Sequence, residues 1–330
     1  HYYLLVLLCF IMIFLPANAW FSVDAKQKPE IRSHTAPYWT HFILIAQLAI
    51  VYFYAAIAKI YPDWLDGRPL QIWFGYKKDY FLIGPLFTND IFITVIKYGG
   101  ILFDLLVIPL LLFKPTRKFA ILASFVFHLF NSAVFQIGTF PYMMLAFLLF
   151  FVDPDWLRSK VFKSKPQLDL TIERETITRG QNYFIVTCVL IYLIIQVLLP
   201  LRHWLYNGNV HWTEEGHRLS WRMMLRSKSG TFYCKVKADS IDKYVAPGQF
   251  LTRVQVQKIA TRPDMLWQFA KFLGNHYEAK GYKDVKVYIY SRVQLNGHKE
   301  QLLIDPEVAL NKEPWNVFLP SPWILPFERD

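Results

Sequence analysis

The chain has 330 residues, of which 54% are hydrophobic and only 18% are charged. A soluble domain is typically about 25% charged, so the composition argues against a wholly soluble chain. An aromatic content of 18% excludes intrinsic disorder, and three cysteines exclude a small disulfide scaffold. What remains is a membrane protein, or a soluble domain joined to membrane spans.

The first 200 residues contain apolar runs of the length that crosses a bilayer, roughly 20 residues. The longest run is broken at Gly138-Thr139-Phe140-Pro141, which indicates two spans there, with a re-entrant turn as the alternative. We predict about six spans, at residues 2–16, 41–61, 91–113, 119–137, 141–152 and 182–200.

Residues 201–330 have charges spaced throughout, and none of their apolar runs approaches membrane length. Alternating apolar residues rich in Val, Ile and Tyr predict strands at 231–237, 250–257, 285–294 and 300–305. An amphipathic pattern with a proline near its start predicts a helix at 263–279. The sequence therefore predicts a multi-pass α-helical membrane domain over 1–200, followed by a soluble α+β domain over 201–330.

The loop charges predict the orientation, because short cytoplasmic loops carry an excess of Lys and Arg. One set of loops has only three basic residues: Arg68, Lys77 and Lys78. The other set has twelve: Lys26, Lys28, Arg32, Lys114, Arg117, Lys118, Arg158, Lys160, Lys163, Lys165, Arg174 and Arg179. The soluble domain is thus predicted on the lumenal or periplasmic side. The net charge of +11 forms no dense basic stripe, so nucleic acid is not an expected partner.

Ionisable residues within the spans are the candidate functional residues, because charge at membrane depth is costly. Lys59 ends the second run, either as a lysine that snorkels to the interface or as a buried neutral amine that acts as a base. His128 lies near the middle of the fourth span with Asn131 on the same helix face, either for a helix–helix hydrogen bond or for a cavity site. His1 heads the first run, on the same outer side as Lys59.

Common catalytic motifs are missing, since the chain has no HExxH, CxxC, GxSxG or glycine-rich phosphate loop. His211 and His217 lie near Glu214 and Glu215, but a His-x5-His spacing in a loop is not specific for a metal. We therefore predict no metal site.

An ordered set of short stretches runs through nearly the whole chain. These are His1-x-Tyr3, Asn18-x-x-Phe21-Ser22-Val23-Asp24, Pro37-x-Trp39, Val51-Tyr52-Phe53-x-Ala55 leading to Lys59, Asp63-Trp64-x-x-Gly67, Gly99-Gly100-x-Leu102-x-Asp104-Leu105, Phe127-His128-x-x-Asn131-Ser132-x-x-Phe135-x-Ile137-Gly138, Ser220-Trp221-x-Met223-Met224 and Asp305-Pro306. In this order they resemble the vitamin K-dependent gamma-glutamyl carboxylase family, whose membrane part is the horizontally transferred transmembrane domain.

The resemblance implies an enzyme. A lysine at the Lys59 position deprotonates reduced vitamin K, a phylloquinone or menaquinone hydroquinone, and the anion reacts with O2. The epoxide and a strong base result; the base takes the γ-proton of a peptidyl glutamate, and the carbanion adds CO2. His1 and His128 are implied to orient the quinone or stabilise its anion, while Asn131, Trp221 and Tyr288 are implied near the quinone or peptide. The implied partners are the bilayer and a glutamate-containing protein.

Some features depart from the family pattern. Arg222 stands between Trp221 and Met223, where animal members have an acidic residue, and the animal lumenal portion is longer. The absence of Met at position 1 indicates an N-terminally truncated chain, and the residue usage indicates a bacterial member. We therefore expect the protein in the bacterial inner membrane, or in the endoplasmic reticulum membrane if it is eukaryotic. Two other functions stay open: quinone epoxidation without carboxylation, and a membrane binding or transport module.

Overall fold

A computed structural model describes residues 2–20, 22–33, 35–81, 83–160 and 179–330. The predicted site residue His1 and three members of the basic loop, Lys163, Lys165 and Arg174, lie outside these residues. The α-helices are α1 Tyr2–Phe14, α2 Val23–Gln27, α3 Tyr38–Ala58, α4 Pro62–Leu65, α5 Arg68–Gly75, α6 Asp90–Leu112, α7 Arg117–Phe130, α8 Phe140–Phe147, α9 Pro154–Lys160, α10 Arg179–Leu201, α11 Val210–Thr213, α12 Arg253–Ile259 and α13 Pro263–Glu278. The strands are β1 Lys228–Ala238, β2 Ile241–Val245, β3 Lys286–Leu295 and β4 Gln301–Leu302.

Four helical stretches within the described residues are long and apolar enough to cross a membrane: Tyr38–Ala58, Asp90–Leu112, Arg117–Phe135 and Gly180–Leu205. Two shorter apolar helices, Tyr2–Phe14 and Phe140–Phe151, lie at the other two predicted spans. The fold class predicted from the sequence is confirmed: apolar helices come first, then a part with a small antiparallel sheet and helices. The count of six spans and the boundary at residue 200 stay predictions.

The break at residues 138–141 has a local cause. α7 continues as a short π-helix, Asn131–Phe135, and ends at Gln136, which has a left-handed backbone. Gly138 also has a positive φ of 72°, and Pro141 lies in the first turn of α8, where a missing N–H costs nothing. The chain therefore turns and starts a new helix there.

The described residues divide into two compact units. The first unit takes its residues from His1–Ala56 and Leu102–Val197, and the second from Ile57–Ile101 and Leu198–Asp330. In the first unit, tyrosine hydroxyls make hydrogen bonds between apolar helices: Tyr192 donates to Gln47 Oε1 at 2.5 Å, and Tyr3 donates to Gln196 Oε1 at 3.1 Å. Such bonds satisfy polar groups that lipid could not.

The second unit contains a four-stranded antiparallel sheet in the order β2-β1-β3-β4. β1 and β3 are paired over ten residues, with Cys234 opposite Ile289. Every second residue of β3, including Val287, Ile289 and Val293, points into a core that α13 closes with Leu266 and Leu273. This alternation is the period that the sequence predicted for a half-buried strand.

One prediction for the soluble part is wrong, and one strand was not predicted. Residues 250–257 are not a strand, because Thr252 and Gln255 form a capping box that begins helix α12, and these local hydrogen bonds outweigh the Val254–Val256 alternation. Strand β2 was not predicted, since it has only five residues and two of them, Asp242 and Lys243, are charged. The predictions at 231–237, 263–279 and 285–294 are confirmed by β1, α13 and β3.

Candidate active site

Lys59 lies in the second unit, at the turn that follows helix α3. Its side chain is half-buried, and its Nζ lies 5.8 Å from the centre of the Trp64 ring. A Cβ atom placed on Gly100 of helix α6 would lie 3.8 Å from Lys59 Cε, so the amine-bearing end runs alongside this glycine. The Trp64 ring and helix α6 thus form two sides of the surroundings of Lys59.

Tyr61, two residues beyond Lys59, joins this turn to the soluble part of the same unit. Its ring lies against His211, with the ring centroids 4.4 Å apart, and its hydroxyl donates to the Leu225 carbonyl. Burial, followed by the charge of Asp63, raises the pKa of Tyr61, so its hydroxyl stays protonated at neutral pH. Tyr61 therefore connects the turn carrying Lys59 to the loop carrying His211.

A cluster of basic side chains surrounds His211; we call Arg222, Arg226, Lys228, His211 and His217 the cationic cluster. Arg226 NH2 lies 2.6 Å from Glu214 Oε1, and Lys228 Nζ lies 3.5 Å from the same oxygen. Two cations, Arg226 and Lys228, thus share one carboxylate, and with Arg222 nearby the cluster has an excess of positive charge. An anion bound there would gain from this excess, because charges interact strongly away from water.

Hydrogen bonds fix which imidazole nitrogens of the cluster carry protons. His203 Nδ1 is 2.7 Å from the Pro200 carbonyl and therefore donates to it, which leaves His203 Nε2 to accept from Arg222 NH2 at 2.8 Å. Arg222 NH1 lies 3.3 Å from His211 Nε2, which therefore accepts, so the proton of neutral His211 is on Nδ1. Among the described residues His211 Nδ1 and Arg222 Nε are buried donors with no hydrogen-bond partner. Both are N–H groups of the kind that binds an anion.

Burial lowers the pKa of three members of the cluster, His211, His217 and Lys228. Burial, reinforced by Arg222, lowers the pKa of His211 well below its usual range, and burial reinforced by Arg226 does the same for His217. Burial lowers the pKa of Lys228 to about 7, against the opposing effect of Glu214. Both imidazoles are therefore neutral near pH 7, and Lys228 changes charge there.

The loop that carries the cluster has an unusual backbone. Glu214, Leu219, Trp221 and Met224 all have positive φ, between 50° and 65°, which non-glycine residues rarely adopt. Gly216 also has a positive φ of 66°, and a Cβ there would lie 2.5 Å from His203 Cα. Strained residues of this kind cluster at binding and catalytic sites, where the fold holds them in place.

His128 lies in the first unit and is 1% exposed. Its Nε2 is 2.9 Å from the Tyr52 hydroxyl, and rings of Phe127, Phe103 and Phe140 lie 5.3–6.5 Å from its own. Within the described chain its Nδ1 is a buried nitrogen with no hydrogen-bond partner. Because the Tyr52 hydroxyl can either donate or accept, Nδ1 can accept from a ligand hydroxyl or donate to a ligand oxyanion.

The other predicted site residues fall in different places. Asn131 is half-buried in the first unit, at the start of the π-helix that follows His128. Trp221 is buried in the second unit, next to Arg222. Tyr288 lies on β3 beside Tyr290, half-buried, with Lys237 Nζ 5.4 Å from its ring centre. Within the described ranges, no group of three or more His, Cys, Asp or Glu side chains is placed to hold a metal ion.

The cationic cluster was not predicted from the sequence. Its signal was the density of basic residues and histidines between positions 203 and 228, a pattern interpreted above only in terms of metal binding. The departure at Arg222 falls on a residue of this cluster, whose guanidinium donates to both His203 and His211.

The apolar helices, followed by a part with a small antiparallel sheet, define a membrane protein with an attached α+β domain, and family comparisons agree. Residues 1–156 match the HTTM domain, and residues 181–330 match the lumenal domain of vitamin K-dependent gamma-carboxylase. The two matches leave only residues 157–180 between them, and the chain belongs to the vitamin K-dependent gamma-carboxylase family. Its matched domains are those of a carboxylase-type membrane protein. No solved structure matches the chain.

Proposed function

We propose that the chain is a gamma-glutamyl carboxylase-like enzyme that couples hydroquinone epoxidation to carboxylation of peptidyl glutamate. The observation that carries this proposal is the contact between the turn of Lys59 and the cationic cluster, made by Tyr61 on His211 at 4.4 Å. When bound, reduced vitamin K supplies with O2 the strong base that removes the γ-proton of glutamate before CO2 adds. The proposal needs a proton acceptor for the hydroquinone and a carboxylate site, and the second unit contains a candidate for each.

Lys59 is the proposed proton acceptor. Its side-chain end lies near the Trp64 ring and alongside Gly100. A neutral amine there accepts a proton from a bound hydroxyl, and the ammonium that forms is favoured by the Trp64 ring face.

His128 is the proposed quinone-orienting residue of the first unit, together with Asn131. The residues around it fit an aromatic, lipid-soluble ring: Phe103 and Phe127 are stacked at 3.9 Å, and both contact His128. The partnerless His128 Nδ1 supplies the polar contact that would hold one ring oxygen. His1, from the family resemblance, is proposed for the same role.

The cationic cluster is the proposed site of the substrate glutamate, whose carboxylate is the anion that the excess positive charge attracts. His211 Nδ1–H and Arg222 Nε–H are buried donors awaiting an acceptor, and a carboxylate accepts from both. Trp221, adjacent to Arg222, and Tyr288 are proposed to contact the peptide. The substrate is then a glutamate-containing protein that approaches from the lumenal or periplasmic side.

The test is an assay of both products. The purified full chain in detergent is given reduced vitamin K, labelled bicarbonate and a glutamate peptide, and we expect both epoxide and label in the peptide. Lys59→Ala should abolish both products, and an added small amine should restore epoxide. Lys77→Ala is the matched control, because Lys77 also lies over an aromatic ring, that of Tyr80 at 4.9 Å. Epoxide without label would contradict the coupled reaction, and neither product from the folded chain would refute the enzyme.

A further inference from the structure

A buried polar network joins two distant stretches of the second unit, around Asp63 and His298. Asp63 is 3% exposed and His298 is fully buried, although both carry ionisable groups. His298 Nε2 lies 3.1 Å from Asp63 Oδ1, and Asn296 Nδ2 donates to Asp63 Oδ2 at 2.8 Å. His298 Nδ1 contacts Asp330, and Arg329 lies 3.5 Å from Asp63 Oδ1. Every oxygen of the buried carboxylate thus has a partner.

The residues on the soluble side are presented by a tight turn. Asn296 and Gly297 follow β3, both have positive φ, and the His298 N–H donates to the Leu295 carbonyl at 2.9 Å. Asn-Gly with two positive φ values is the preferred two-residue hairpin turn, whose geometry is closely fixed. Asn296 and His298 are therefore held rigidly at the end of the sheet.

The residues on the other side belong to the turn of Lys59. The Tyr61 N–H donates to the Lys59 carbonyl at 3.0 Å, and Asn296 Nδ2 is 3.5 Å from the Tyr61 hydroxyl. Trp64, the ring that faces the Lys59 amine, directly follows Asp63 in the short helix α4. A shift of Asp63 would therefore move the Trp64 ring and the backbone of Lys59 together.

We propose that Asp63 and His298 are positioning residues for the reaction at Lys59: their hydrogen bond fixes the Lys59 turn to the rigid Asn296–Gly297 hairpin of the soluble part. The proposal rests on the proposed role of Lys59 as proton acceptor. Neither residue acts as a proton acceptor for the substrate. Their contribution is the geometry of the amine, and misplacement by about 1 Å can cost roughly 100-fold in rate.

Two amide variants of His298 separate the two contacts of this imidazole. In His298→Gln the amide nitrogen reaches the position of Nε2, so the hydrogen bond to Asp63 is kept and the one to Asp330 is lost. In His298→Asn the amide nitrogen is one carbon shorter and reaches the position of Nδ1, so the Asp330 contact is kept and Asp63 loses its partner. Both variants remove the ring and any charge, which makes them matched controls for each other.

The experiment measures epoxide formation by the detergent-solubilised full chain, with thermal unfolding recorded for each variant. We expect His298→Asn and Asp63→Asn to lower kcat by roughly 10- to 100-fold, and His298→Gln to stay within about threefold of the parent. Equal losses in His298→Asn and His298→Gln would overturn the proposal, as would full activity in His298→Asn.

A second measurement excludes a merely structural role. In the Lys59→Ala background, activity rescued by a small amine no longer depends on how the chain places its own lysine, so adding His298→Asn should change the rescued rate by less than about twofold. The same fold loss in both backgrounds would mean that the network only maintains the fold, and would overturn the proposal. If Lys59 is not the proton acceptor, Lys59→Ala alone keeps its epoxidation. This result distinguishes failure of the proposed function from failure of the positioning proposal.

Discussion

Two adjacent glycines of helix α6 provide a test of where the Lys59 amine lies. A Cβ on Gly100 would be 3.8 Å from Lys59 Cε, whereas a Cβ on Gly99 would meet no atom within 4 Å. Gly100 is buried and Gly99 is exposed on the apolar surface of the helix. The same substitution at the two positions therefore brings the new side chain against the lysine only at Gly100.

The size of the effect follows from this distance. A methyl at 3.8 Å is in ordinary van der Waals contact, so Gly100→Ala should leave epoxidation near the parent value. Gly100→Leu adds three more carbons beyond that contact, and they must take the space of the Lys59 side-chain end. Overpacking of this kind costs about 1–3 kcal/mol, which corresponds to roughly 5- to 150-fold in rate if it falls on the reacting geometry.

The assay is the initial rate of epoxide formation in detergent, measured for Gly100→Leu, Gly100→Ala and the control Gly99→Leu. We expect a loss of about tenfold or more in Gly100→Leu alone. Equal rates for Gly100→Leu and Gly99→Leu would refute the placement of Lys59 beside α6.

Three further predictions concern the soluble part. The pKa of Lys228 is about 7 in the folded chain and 10.5 for an ordinary solvated lysine. The unfolded chain therefore binds more protons above pH 7, and the free energy of unfolding rises with pH, by up to about 1.4 kcal/mol per pH unit. Thermal unfolding between pH 7 and 8.5 should show this rise, and Lys228→Met should flatten it. Arg222→Gln should raise KM for the glutamate peptide by about tenfold or more, through loss of a charged donor, and an unchanged KM would remove Arg222 from the carboxylate site. Leu273→Ala should destabilise the soluble part by about 2–5 kcal/mol in a chemical unfolding experiment, because Leu273 is fully buried, while Phe272→Ala, at a position 49% exposed, should cost much less.

The membrane helices were predictable because their cause is local. The stretches Tyr38–Ala58 and Asp90–Leu112 differ from the predicted runs 41–61 and 91–113 by at most three residues at each end. A run of about 20 apolar residues must satisfy its backbone internally in lipid, so composition alone determines a helix there. Strand β3 was predictable for a similar reason, since alternate residues from Val287 to Leu295 are buried.

Local patterns failed where two local signals competed. Val254 and Val256 alternate as in a strand, yet the capping box of Thr252 and Gln255 starts a helix. Strand β2 has little apolar character of its own and exists because it pairs with β1, with Val245 opposite Cys234. Pairing of this kind depends on the neighbouring strand, which a single stretch of sequence does not contain.

For the candidate site, the sequence predicted some of the residues but not their partners. The sequence by itself determined that Lys59 and His128 are costly residues in apolar runs, because burial of an ionisable group is unfavourable wherever the chain goes. Only the tertiary structure decided which polar groups pair with one another: Tyr52 contacts His128 across 76 residues, Arg222 bridges His203 and His211, and Asp63 binds His298 across 235 residues. Hydrogen bonds act over about 3 Å, so residues far apart in the chain become partners only after the helices and the sheet have packed.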